Sequence, residues 1–156
     1  MLTRPAPARP NPSSAFRYDA YRLKRLYTLP EVLSAPWWLM ARAWIGWVFF
    51  VSGLTKIADF DTTVSLFADE YQVPVLPPEF AAFSATALEL ICPVLLWLGL
   101  GTRLAALPLL IMTAVIQFTY LQHDQHLFWA IILTGLIIHG GGKWSVDHLI
   151  VRRLKA

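Results

Sequence analysis

Four long apolar stretches govern what this chain can fold into: Trp37 to Ile57, Phe80 to Leu100, Leu104 to Leu121 and Leu127 to His139. A bilayer asks for about 20 such residues per helix, and its interior holds no water to satisfy an open backbone. The sequence therefore predicts an all-α protein, a membrane-spanning four-helix bundle. Composition agrees: of 156 residues, 56% are hydrophobic and 15% charged, and the mean hydropathy is +0.51, outside the balance of a soluble domain. The fourth stretch is short, about 20 Å at a rise of 1.5 Å per residue. It has to recruit Gln125 and His126, or Gly140 to Gly142, or cross a thin bilayer. Short links at Gly99 to Arg103 and Gln122 to His126 make their flanking helices antiparallel neighbours, which gives an up-down-up-down order.

The organisation along the chain follows. Residues 1–36 form an extension, with Pro5, Pro7, Pro10, Pro12, Ser13 and Ser14 read as a disordered start and Arg17, Arg22, Lys24 and Arg25 as a basic surface segment. Residues 37–150 form the membrane domain and 151–156 a basic tail. No apolar run precedes the first span, so a cleaved secretory signal is not expected, although an Arg-rich, acid-poor start also imitates a mitochondrial presequence. Basic residues cluster before the first span, at Arg103, and at Lys143, Arg152, Arg153 and Lys155, whereas Asp59, Asp61, Asp69, Glu70, Glu79 and Asp124 occupy the opposite loops. The positive-inside rule then places both termini in the cytoplasm of a bacterium, in its inner membrane. Trp37, Trp38 and Trp144 are expected at the cytoplasmic interface, and Tyr71 and Tyr120 at the outer one. The long outer connection has room for a short helix, with Pro74, Pro77 and Pro78 leaving the chain extended before the second span.

Helical spacing sorts the faces. Arg42, Gly46, Phe49, Gly53 and Lys56 share one side of the first span. Glycines allow close helix contact and charges avoid lipid, so this side should point inward, with snorkelling to water as the plainer account of the two cations. In the second span Ala82, Ala85, Thr86, Cys92, Pro93 and Leu96 lie on the side of Glu89, an acid in mid-membrane. Pro93 deprives the Glu89 carbonyl of its helical donor and predicts a kink there. Burial disfavours a carboxylate unless a cation such as that of Arg42 comes close. The third span aligns Ala106, Thr113, Gln117 and Tyr120, either as the outer half of a polar pocket or as interhelical hydrogen-bonding glue.

His123, Asp124 and His126 are a weak metal-binding pattern without an evident further ligand, better read as a solvated turn. Gly140 and Gly142 permit a tight turn, after which Ser145 can cap a short interfacial helix with Asp147 in its first turn. Leu149, Ile150 and Leu154 would dip into the interface while Arg152, Arg153 and Lys155 meet anionic lipid. The lone Cys92 excludes an internal disulfide. No phosphate loop is present, and the basic residues track the membrane side, so nucleic acid is not an expected partner.

Three motifs, RAWIGWVFFVSGLTK from Arg42 to Lys56, the run LWLGLGTR ending at Arg103, and GGGKWSVD from Gly140 to Asp147, together with Glu89, resemble the DoxX family of small four-helix membrane proteins. The resemblance covers residues 37–150; Gly-Gly-Gly stands where the family commonly has Gly-Pro-Gly. It implies association with a membrane or cytoplasmic redox enzyme, with a quinone among the candidate small molecules, and does not imply that the chain is itself a catalyst. Under that reading Arg42, Lys56, Glu89, Gln117 and Tyr120 frame a cavity for a quinone headgroup or small substrate, and a partner or bound cofactor moves the electrons. The alternatives are a noncatalytic anchor or scaffold for a soluble enzyme, including one that matures metal-binding peptides, and a small-metabolite transporter. An oligomer is compatible with each.

Overall fold

The computed structural model describes the backbone of residues 12–71, 76–119 and 123–155, with side chains from residue 32 onward. Tyr120 and Pro74 lie outside the described residues, as do Pro5, Pro7 and Pro10 and the side chains of Arg17, Arg22, Lys24 and Arg25. The described elements are helical: α1 (Pro12–Ala58), α2 (Phe60–Leu66), a π-helical turn (Phe67–Tyr71), α3 (Pro78–Leu98), α4 (Thr102–Thr119), α5 (Asp124–His139) and α6 (Val146–Leu154). Two units divide the chain, Met1–Ser34 and Ala35–Ala156. The first is helical backbone from Pro12. Pro12 to Ser14, expected within a disordered start, are thus helical, and a proline at the first helical position gives up a donor that had no partner anyway.

Among the described residues, three helices are long and apolar enough to cross a membrane: Val32–Ala58, Pro78–Leu98 and Thr102–Thr119. The expected fourth span, α5, does recruit Gln125 and His126, yet it ends after 16 residues, about 24 Å. It stops where Gly140 turns away at φ 76. Within the second unit, α1, α3, α4 and α5 all contribute to one core, built from Ile45, Phe49, Cys92, Leu96, Ala105, Ala106, Leu109, Leu133 and Leu136. The small residues of α4 let α5 lie along it. Outside, Trp47, Phe83, Ile91, Leu104, Ile111 and Ile131 are each more than half exposed. An exterior of that kind suits hydrocarbon as its solvent and not water.

The long connection folds back on the bundle. Asp59 accepts from the Thr62 amide at 3.1 Å and starts α2. Phe67 then packs with Ala81, Ala82 and Ala85 in a second apolar cluster, joined by Phe60, Val64, Tyr71 and Met112. The alanines of α3 serve this contact, as small residues do between helices.

Candidate functional site

The inward face predicted for α1 is the buried one. Arg42, Gly46, Phe49 and Gly53 are buried and Lys56 half-buried. A β-carbon at Gly46 would meet the Trp97 indole, and one at Gly53 would meet Leu90 and the Glu89 β-carbon. The same holds for α3, where Ala82, Ala85, Thr86, Glu89, Cys92, Pro93 and Leu96 are all buried.

Lys56, and not Arg42, reaches Glu89. Its Nζ lies 3.0 Å from Glu89 Oε1 and 2.8 Å from Oε2, with Ser52 Oγ at 2.8 Å. Side chains on a helix lean toward its N-terminus, so Lys56 folds back over Ser52 and Gly53. Glu89 waits there because Gly53 leaves the space. The Glu89 side chain is 2% exposed and that of Lys56 15%, so each charge is neutralised by the other where water is scarce.

Arg42 works at the other end. Its Nη1 donates to the Leu96 carbonyl at 2.9 Å and its Nη2 to the Trp144 carbonyl at 2.7 Å. The guanidinium thereby takes up a carbonyl at the C-terminal end of α3, which carries partial negative charge. Gly99, left-handed at φ 68, ends that helix against Arg42 and Ser145. Ser145 caps α6 by accepting from the His148 amide at 3.2 Å, as expected. Asp147 does more than sit in the first turn of α6: its carboxylate accepts from the amides of Gly101 at 2.7 Å and Thr102 at 2.9 Å, capping α4. Gly140 and Gly142, at φ 76 and 78, form the turn between α5 and α6.

Gln117 joins neither charged group. Its Oε1 accepts from the His123 amide at 3.2 Å and lies 2.9 Å from His126 Nδ1. His126 is buried against Trp129 and does not belong to a solvated turn. The weak metal pattern does not converge: among the described residues no group of three or more His, Cys, Asp or Glu is placed to hold an ion.

Beside the ion pair lies a cavity of about 290 Å³, walled by Lys56, Glu89, Phe67, Tyr71 and the stretch of α4 from Pro108 to Ile116. Tyr71, expected near the outer membrane interface, lines this cavity, half-buried, its ring edge-on to Phe67 at 4.8 Å. Burial, and then the charges of Glu70 and Glu89, hold its phenol above the ordinary tyrosine value. Nothing in the local sequence announced this, because the π-helical turn owes its position to a contact with α3. The three N–H groups of the Lys56 ammonium are used by Ser52 and Glu89, but a carboxylate accepts at more sites than two. The cavity therefore offers a charged acceptor among apolar walls.

These features define a multi-pass helical membrane protein with a buried ion pair beside an apolar cavity. The family model DoxX matches residues 37–122. A protein of Haemophilus influenzae (strain ATCC 51907 / DSM 11121 / KW20 / Rd), described as uncharacterized, is 31% identical over 124 residues, covering 72% of this chain and 82% of its own length. No solved structure matches. The chain belongs to the DoxX family.

Proposed function

We propose that this protein is a membrane subunit or partner of a quinone-linked redox system, and that the cavity beside Lys56 and Glu89 receives the headgroup. The observation that carries this reading is the ion pair on the wall of an apolar cavity of about 290 Å³, close to the lower end of the size range of small-molecule sites. A quinol fits the donor balance: its hydroxyl donates to the free acceptor capacity of Glu89 while its ring lies among Phe67, Tyr71 and Met112. Electrons and protons leave a quinol together on oxidation. Oxidation to the quinone releases two electrons and two protons: Glu89 takes the proton of the hydroxyl it binds, Lys56 stabilises the carboxylate before that transfer, the far hydroxyl releases the second proton to water, and a partner redox enzyme takes both electrons.

In the arrangement we favour, α5 is the fourth, shorter span of an up-down-up-down bundle in a bacterial inner membrane, with both termini cytoplasmic, an orientation that the distribution of basic residues supports. A second reading, a noncatalytic anchor or scaffold for a soluble enzyme, draws on Arg42, whose charge is spent on backbone carbonyls. Purification with native lipid separates the two. The first predicts bound quinone near one per chain in the wild type and loss of it from the Glu89→Gln protein that purifies folded. Quinone at the level of bulk lipid in both proteins would sink it.

A further inference from the structure

A second and larger cavity opens at the Arg42 end, about 770 Å³ between the start of α4, the glycine turn and α6. Its walls carry the cations Arg103 and Lys143 and the imidazoles of His139 and His148. Arg103 is tied to the end of α5, its Nη2 donating to the Ile138 carbonyl at 3.1 Å. The acid among these residues, Asp147, turns its two oxygens to the α4 amides of Gly101 and Thr102, and its single negative charge is outnumbered by Arg103 and Lys143. Gly140 and Gly142 keep the turn bare of side chains. The lining also includes exposed apolar side chains: Leu104 is 78% exposed, Ile150 46% and Val151 48%.

Cations and exposed apolar side chains around one cavity, at the end of membrane-length helices, suit one ligand class. We infer that this cavity binds an anionic phospholipid, its phosphate between Arg103 and Lys143 and the upper part of an acyl chain against Leu104, Ile150 and Val151. A free phosphate would leave those apolar side chains uncovered. The amphipathic α6, with Leu149 and Leu154 also exposed, lies where the same leaflet covers it. This assignment is independent of the site at Glu89.

The test is native mass spectrometry of the full chain in neutral detergent, titrated with phosphatidylglycerol, phosphatidylcholine or inorganic phosphate. Phosphatidylglycerol is expected to bind one per chain and phosphatidylcholine much more weakly. Arg103→Gln with Lys143→Gln should weaken the anionic lipid by roughly thirtyfold, since each cation near the headgroup contributes about one charge-pair's worth of affinity. Arg152→Gln with Arg153→Gln, outside the cavity, should change it less than threefold. Thermal unfolding in neutral lipid checks that both variants fold, and Arg103→Lys should retain most of the binding if the first fails. Equal affinity for the two lipids, displacement of lipid by an equal concentration of inorganic phosphate, or a larger loss from the tail variant than from the cavity variant would each overturn the assignment.

Discussion

Glu89 and Lys56 meet through a contact that two separate choices make available, a glycine at position 53 and a lysine one turn beyond it. Removing one partner leaves a buried charge, which costs about 3 kcal/mol. Lys56→Met should therefore lower stability by about that much, and Lys56→Met with Glu89→Leu should recover most of it. Unfolding in detergent measures both; a double variant as unstable as the single one would show that the pair is not the source. Quinone binding should be lost in both. That each residue faced inward was legible from helical spacing. Which cation met the acid was not, because axial distance alone ignores the lean of a side chain toward the start of its helix. With that lean, Lys56 and Gly53 together mark the partner.

At the scale of elements, helix ends are held by distant side chains. Arg42→Met removes donors from the Leu96 and Trp144 carbonyls and should destabilise by about 3 kcal/mol, a charged hydrogen bond being worth about 1.5–3 kcal/mol. Asp147→Ala removes the α4 cap and should cost about 1 kcal/mol, read as a lower melting temperature. The α2 cap depends on pH. A hydrogen bond from Thr62 holds the Asp59 carboxyl below its ordinary value. Its contribution is complete above the ordinary carboxylate pKa and is lost as pH falls through the lowered one. Hydrogen exchange at the Thr62 amide should accelerate over that acid range in the wild type, and in Asp59→Ala it should be fast throughout. Ser145 as a cap was readable from its place after a glycine turn. The reach of Asp147 to Gly101 was not, since that contact joins segments far apart in the chain.

For the whole molecule, apolar length and the absence of water in a bilayer were enough to foresee helices and their inward faces. They were not enough to foresee Tyr71 in the cavity, or the burial of His126 under Gln117, because both follow from how connections fold back on the bundle. The proposed orientation predicts that reporters fused to either terminus are active in the cytoplasm and that one at Asp69 is active outside; a terminus found outside would reverse the arrangement. The central claim is that a quinone headgroup sits against Glu89, and photolabelling tests it most directly. A photoreactive quinone analogue, followed by peptide mass spectrometry, should mark Phe67 to Tyr71 and the α4 residues Pro108 to Ile116, with the label lost in Glu89→Gln. Label spread over the lipid-facing residues Trp47, Phe83 and Ile131, equally in both proteins, would contradict it.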